Sequence, residues 1–479
     1  MSRLLISAAH KSSGKTTVSI GLCAALRARG TVVQPFKKGP DYIDPMWLST
    51  ASGRSCRNLD FYLMERDEIV ASFVRHSAGA DISLIEGNKG LYDGLDLDGS
   101  NSNAALAGLL KAPVVLVIDA RGMTRGIAPL ILGYQAFDRE ITIAGVILNN
   151  LGGARHESKL RAVIEHYTDV PVIGAVHHDK RLEIVERHLG LMPSNEAAAA
   201  ARRVEEIGAL VGAQVDLDRL LAVAAEAPPL SAPIQAGVEA AVAPHAPKVR
   251  IGWAKDQAFG FYYADDLDAL RAAGAELVPL DTLRDRHLPE VDGLFIGGGF
   301  PELFMAELEA NTSLRAEIGA AIDRGLPAYA ECGGLMYLAR TLTWHGETHD
   351  MVGIIPGDVV MHEKPVGRGY IRLRETGENA WPAPAAQAPA EVRGHEFHYS
   401  SLDNLDPGQL KFAYEVKRGH GIDGRRDGIV YKNLLASYAH LRSLDSYNWA
   451  ARFVAFVRDR AGKNGGHAAP DGDRFGRAA

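Results

Sequence analysis

Along the first half of the chain, short apolar runs alternate with stretches whose apolar residues recur at helical spacing. The runs Leu4–Ala8, Val32–Phe36, Ile82–Glu86, Val114–Asp119, Ile143–Leu148 and Val172–Ala175 predict strands, and Thr16–Arg29, Ala104–Lys111 and Glu157–Tyr167 predict helices between them. Strands separated by helix-length segments imply βαβ units and a mostly parallel sheet covered on both faces. The pattern fades after Ala225. Ala227–Lys248 is Ala/Pro-rich and nearly free of charge, the composition of an interdomain linker. A second α/β pattern restarts at Val249–Ala254 and continues through Leu277–Pro279, Gly293–Ile296 and Ala328–Ala330. Gly377–Glu391 interrupts it and predicts a disordered surface loop, and residues 461–479 read as an unstructured tail. The expected organisation is two α/β domains, residues 1–226 and 249–460, joined by the linker 227–248.

Composition narrows the class. At 479 residues the chain exceeds what one compact core organises. A 47% hydrophobic and 7% aromatic content suits soluble globular domains. The formal net charge of −7 argues against nucleic acid as a partner. No apolar run approaches the ~20 residues that cross a bilayer. The apolar start of the chain runs straight into a phosphate-loop pattern, so it predicts a first strand rather than an export signal. Cys23, Cys56 and Cys332 are too few for a disulfide framework or a CxxC metal site, and Cys23 and Cys56 read as buried or incidental thiols. A cytoplasmic location is expected.

The first predicted strand leads into Ala9-His10-Lys11-Ser12-Ser13-Gly14-Lys15-Thr16-Thr17. In the pattern G-x-x-x-x-G-K-[ST], backbone N–H groups wrap a phosphate at a helix N-terminus, Lys reaches the outer phosphates and the hydroxyl holds Mg²⁺. Ala9 stands where the first glycine belongs, but the strand before and the amphipathic helix after supply the right setting. Gly14, Lys15, Thr16 and Thr17 are therefore candidates to bind a nucleotide. Two acidic clusters, Gly39-Pro40-Asp41-Tyr42-Ile43-Asp44-Pro45 and Glu86-Gly87-Asn88-Lys89-Gly90-Leu91-Tyr92-Asp93-Gly94, follow the second and third predicted strands. Carboxylates there suit Mg²⁺, which takes oxygen ligands and substrate phosphates. Asn149, ending AGVILNN, is either a contact to the nucleotide base or a turn residue.

In the second half, Pro327-Ala328-Tyr329-Ala330-Glu331-Cys332-Gly333-Gly334-Leu335-Met336 places Cys332 between a short strand and a helix. Such a sharp turn exposes a nucleophile. A base must activate it, and His440 in LLASYAHL is the candidate. Gly297, Gly298 and Gly299 offer backbone N–H groups for an oxyanion. His395 and His398 have too few further ligands nearby for a zinc pair, and predict a structural or substrate-side role.

Together these motifs resemble the cobyrinic acid a,c-diamide synthase family, glutamine-hydrolysing amidotransferases with a dethiobiotin-synthetase-like front domain and a class I glutaminase-like back domain. The matching blocks are SSGKTT, PFKKGPDYIDP, NLDFYLM, IEGNKGLYDG, AFGFYYADDL, GGGFPE, AECGGLMYL, RGHEFHYS and LLASYAHL, in family order from residue 3 to about 458. The resemblance implies that Cys332 attacks L-glutamine with His440 as acid and base, releasing ammonia. It implies that ATP phosphorylates an acetate carboxylate of a tetrapyrrole, which ammonia converts to a carboxamide. It assigns Lys15 and Thr16 to ATP–Mg²⁺ and Thr16, Asp41 and Glu86 to the metal. Asp41, Asp44 and Asp93 fall to the phosphoryl step, with Tyr42 and Ile43 near the macrocycle. Asn88-Lys89 stands where the corrin enzymes show Val-Met, and Lys38 and Met46-Trp47 also depart. Similar variants resemble a branch that amidates sirohaem in dissimilatory sulfur metabolism.

Three other readings stay open. A P-loop regulatory ATPase with a vestigial glutaminase domain would hydrolyse ATP without a tetrapyrrole, and the intact Cys332 and His440 blocks speak against it. Cobyric acid synthase shares a similar back domain but fits GPDYIDP and EGNKGLYDG less well. A stand-alone glutaminase would not need Lys15. A C₂ homodimer is the default expectation for a soluble enzyme.

Overall fold

A computed structural model describes residues 1–184, 186–187, 190–191, 197–230, 248–381, 391–406 and 410–464. The chain divides into two compact units, Met1–Ala236 and Gly237–Ala479. Most of the stretch read as a linker, residues 231–247, lies outside the described residues, as do residues 465–479 of the expected tail.

The first unit is built on seven parallel strands: β1 (Arg3–Ala8), β2 (Val33–Lys38), β3 (Arg57–Leu59), β4 (Ile82–Glu86), β5 (Val114–Asp119), β6 (Ile143–Leu151) and β7 (Val172–His177). Their order is β3-β2-β4-β1-β5-β6-β7. Helices fill the crossovers, so both faces are covered and the strands are nearly continuous apolar runs (LLIS, VVLVI). Six of the strands are those the pattern predicts. β3 has three residues, too short for a periodicity to register. β2 runs on past Phe36 to Lys38, carrying two lysines that are buried despite their charge. The helices α1 (Lys15–Ala28) and α2 (Ile43–Ser52) follow β1 and β2.

The second unit holds a ten-stranded mixed sheet. Its parallel half runs Ala275–Leu280, Val249–Ala254, Gly293–Ile296, Ala328–Glu331, Leu434–Ser437. It continues antiparallel through Arg426–Tyr431, Lys411–Arg418, Gly367–Glu375, Glu391–His398 and His440–Leu441. A four-stranded sheet of Glu347–Asp350, Ala339–Trp344, Ile355–Met361 and Ser400–Asp403 packs within the same unit. The sequence pattern predicts four of the five parallel strands, missing Leu434–Ser437, and none of the antiparallel strands as such.

Two expectations need correction. Residues 382–390 of the loop expected over Gly377–Glu391 lie outside the described residues, but its start is not surface: Trp381 is fully buried, its ring edge-on to Tyr329 at 4.9 Å and 5.1 Å from Phe453. An Ala/Pro-rich composition hides one aromatic large enough to be held in the core. The C-terminal helix Trp449–Asn464 also runs into the expected tail. Trp381→Ala is expected to lower the stability of the second unit by about 3–5 kcal/mol. In urea unfolding of the full chain, that unit's transition should move to a lower midpoint with no change in slope.

Candidate functional site

In the first unit, β2, β4 and β1 lie side by side and parallel, so the loops after them open on one edge of the sheet. The loop after β1 enters α1 through Gly14 in the left-handed region (φ 83°), and no side chain caps the helix. Its first-turn N–H groups therefore remain available to an anion. Asn149 Nδ2 donates to Ser13 O at 2.9 Å, and a Cβ on Gly14 would sit 2.2 Å from that nitrogen. Asn149 thus braces the phosphate loop from β6. The missing first glycine is offset from outside the motif: the Tyr134 hydroxyl donates to Ala9 O at 2.5 Å, and Leu91 N donates to Ala8 O at 2.8 Å.

The acidic groups converge on Thr16, whose hydroxyl donates to Glu86 Oε1 at 2.6 Å and to Asp44 Oδ2 at 3.3 Å. Lys37, absent from the sequence-derived candidates, lies among them, bonded to Asp44 and, at 2.9 Å, to Glu86 Oε1. Burial works to push its ammonium down, but Asp44, Glu86 and Asp41 together hold it well above the lysine range. Burial raises Glu86, with Lys37 opposing. Burial also lowers Lys15, against the charge of Glu86. Asp41 stands further off, 4.0 Å from Lys37, and its Oδ1 accepts from Ile43 N and Asp44 N. Asp44, not Asp41, therefore shares Thr16 with Glu86. Asp93 closes its own turn, accepting from Gly90 N at 2.9 Å, while Tyr42 and Ile43 are buried.

These donors suit Mg²⁺. Glu86 is fully buried, and its Oε2 has no hydrogen-bond partner among the described residues. Among those residues no three His, Cys, Asp or Glu side chains form a metal cluster. An ion here would take Glu86, Asp44, Thr16 and phosphate oxygens, the mixed set that Mg²⁺ favours. Beside this group, two departures from the family pattern touch: Lys38 Nζ donates to Asn88 Oδ1 at 3.2 Å. Burial pushes Lys38 down to about 8, with Asp60 opposing and Lys89 and Lys37 adding to the shift.

In the second unit the strands Gly293–Ile296, Ala328–Glu331 and Leu434–Ser437 are adjacent and parallel. Gly297, Cys332 and the turn leading to His440 therefore leave the same edge. Cys332 occupies a strained turn (φ 48°, ψ −103°) and its N–H donates to Ser437 O at 2.7 Å. His440 Nδ1 faces Glu331 Oε2 at 3.6 Å, and the ring neighbours Cys332. Burial opposes its protonation, but Cys332 and Glu331 together hold it up at about 10. Asp427 fixes the turn, accepting from Ser437 Oγ, Tyr438 N and Ala439 N at 2.9, 3.1 and 3.0 Å. His395 lies opposite His440 in register, its ring stacked at 4.8 Å, and meets the Tyr263 hydroxyl at 3.2 Å. His398 is buried against Tyr438 at 3.9 Å. In the glycine run, Gly297 N–H is already donated to the Tyr262 hydroxyl at 2.9 Å. Gly298 lies against His440, and Gly299 against Gly333.

Missed by sequence reasoning were Lys37, Glu331, Asp427 and Tyr263. Lys37 and Glu331 carry a retrievable signal, a charged residue at or next to the end of an apolar strand just before a candidate loop.

The family model described as a CobB/CobQ-like glutamine amidotransferase domain matches residues 250–448, and that of an AAA domain matches residues 2–185. Fold and sites together define a glutamine-dependent amide ligase with a nucleotide-binding first unit. A cobyrinate a,c-diamide synthase of Magnetococcus marinus is 50% identical, covering 96% of this chain and 97% of its own. Those of Methanosarcina acetivorans (45%; 92% of each chain) and Archaeoglobus fulgidus (42%; 94% and 96%) follow. The chain belongs to the cobyrinate a,c-diamide synthase family. Among the described residues, no helix is long and apolar enough to cross a membrane.

Lys37→Met leaves buried Glu86 beside Asp44 without its cation, and should cost the first unit about 3–5 kcal/mol. The deficit should grow as pH rises. A buried acid held above its ordinary range must release, in the folded state, a proton that the unfolded chain has already lost. Urea midpoints at several pH values check both statements.

Proposed function

We propose that the chain amidates the a and c acetate side chains of a tetrapyrrole, of cobyrinate or sirohaem type, using ATP–Mg²⁺ and L-glutamine. The observation that carries this reading is the pairing, in one chain, of an uncapped phosphate-loop helix beside Thr16, Asp44 and Glu86 with a strained cysteine beside a buried histidine.

In the second unit, Cys332 Sγ attacks the glutamine carboxamide carbon after passing its proton to His440. Backbone N–H groups of Gly298 and Gly299 are the candidates to meet the oxyanion, since that of Gly297 is engaged. His440 returns the proton to the departing ammonia. It then draws a proton from water, which opens the thioester to release glutamate.

In the first unit, the phosphate loop and Lys15 hold the triphosphate. The acetate oxygen attacks the γ-phosphorus, ADP leaves, and ammonia displaces phosphate from the acyl phosphate. The carboxylate thereby gains a leaving group that it lacks. Mg²⁺, when bound, neutralises charge developing on the phosphate oxygens. Lys37 keeps Asp44 and Glu86 fixed beside Thr16, and Lys38 and Lys89 offer cations for further carboxylates of the macrocycle.

Purified protein with ATP, Mg²⁺ and glutamine, offered cobyrinic acid, sirohydrochlorin or sirohaem separately, is expected to convert one of them to a carboxamide, followed by product mass. ATP consumption with no amidation of any would overturn the reading in favour of a regulatory ATPase. Cys332→Ala should abolish the glutamine-driven product while leaving the ammonium-driven one. Lys89→Ala should raise KM for the tetrapyrrole and leave KM for glutamine unchanged. An unaltered tetrapyrrole KM removes Lys89 from the substrate site.

A further inference from the structure

The residue before Cys332 is Glu331, the last of the strand Ala328–Glu331, and it is almost wholly buried. Its Oε1 accepts from the Tyr329 hydroxyl at 2.5 Å and from Leu441 N at 3.0 Å. Its Oε2 faces His440 Nδ1 at 3.6 Å. Leu441 and His440 form one two-residue strand, so a single carboxylate holds both the backbone and the ring of that segment. Tyr329 is itself immobilised, stacked on Phe295 at 5.3 Å and edge-on to Trp381.

Neighbouring charged groups are engaged elsewhere. Arg442 pairs with Asp265 at 2.8 Å. Asp427 spends its oxygens on the turn at Ser437–Ala439. His395, stacked on His440, is held well below the usual histidine range by burial and then by the charge of His440. Glu331 is thus the carboxylate that meets the ring.

We infer that Glu331 is a positioning residue for glutamine hydrolysis, fixing the His440 ring with Nδ1 toward its Oε2 and the other nitrogen toward the Cys332 thiol. The inference rests on the Cys332–His440 reading proposed above. The S–H bond breaks, the proton moves to His440 and then to the departing ammonia, and Glu331 remains a carboxylate throughout. Nucleophile and orienting acid are consecutive residues. The positive φ of Cys332 permits this, because the reversal at the strand end lets two neighbouring side chains reach one ring.

The test uses the full chain with ATP, Mg²⁺ and cobyrinic acid, following glutamate release across pH for Glu331→Gln, Glu331→Asp, Tyr329→Phe and Cys332→Ala. Glu331→Gln should lower kcat by about 100-fold, with KM for glutamine changed by less than about two-fold. It should also move the alkaline limb of kcat to lower pH. Of the titratable groups facing His440 (Glu331, Cys332 and His395), it removes the anion that retains the imidazolium proton. Glu331→Asp should recover part of the rate. Tyr329→Phe, which keeps the carboxylate, should leave the limb in place.

Wild-type kcat and limb in Glu331→Gln would overturn the inference. So would a lost rate with an unmoved limb, the mark of a purely structural role. If Glu331→Gln does not fold, a Glu331→Asp limb shifted as far as that of a neutral residue is expected not to occur, and its occurrence would also overturn it. Glutamine hydrolysis surviving in Cys332→Ala would instead defeat the underlying Cys332–His440 reading.

Discussion

Parallel pairing sends the carboxyl ends of neighbouring strands to the same edge of a sheet, and each half of this chain uses that constraint to gather residues far apart in sequence. In the first unit it collects Thr16 and Asp44 from the first turns of α1 and α2, and Glu86 from the end of β4, around the β2-β4-β1 neighbourhood. In the second it brings Gly297, Cys332 and the Ser437–His440 turn off three adjacent strands. Remove the parallel register and the loops no longer meet, whatever their composition. The antiparallel half of the second sheet then supplies the opposing wall, where His395 faces His440.

Both sites also share an electrostatic economy. Isolated buried charges are prohibitive, so the chain buries them in compensated sets. Lys37 sits among Asp44, Glu86 and Asp41, and Glu331 among a hydroxyl, an amide and an imidazole. In each set one acceptor atom is saturated by fixed protein donors while the other faces the chemistry. Glu86 holds Thr16 and Lys37 through Oε1 and leaves Oε2 without a partner among the described residues. Glu331 holds Tyr329 and Leu441 through one oxygen and meets His440 through the other.

How far the sequence reveals this depends on whether the signal is local. Apolar runs exposed six of the seven parallel strands, because a strand buried on both faces needs no alternation to be seen. The phosphate loop and the strand-turn-helix around Cys332 were legible as short motifs with their flanks. The antiparallel strands from Gly367 to Tyr431 were not, since half-buried strands with charged outer faces read weakly and their pairing is set by partners far along the chain. Lys37 and Glu331 escaped for another reason: a charged residue on a buried strand looks anomalous until its partners, from nearby Asp41 and Asp44 to distant Glu86 and His440, are brought beside it. Asp41 and Asp44 were indistinguishable in GPDYIDP. Only the first turn of α2 decides that Asp41 turns back to its own backbone while Asp44 reaches Thr16.

The backbone of Cys332 sits in a region that non-glycine residues avoid, at a cost of roughly 1–3 kcal/mol. Any drift toward a more robust molecule would find an easy gain at this residue by relaxing the turn. It would thereby lose the placement of the thiol, which the turn holds buried beside His440 rather than exposed as the sequence pattern predicts. Durability and turnover therefore pull in opposite directions at a single position. The dense packing around it, from Gly299 against Gly333 to Asp427 beneath the neighbouring turn, is what lets the unit tolerate that opposition.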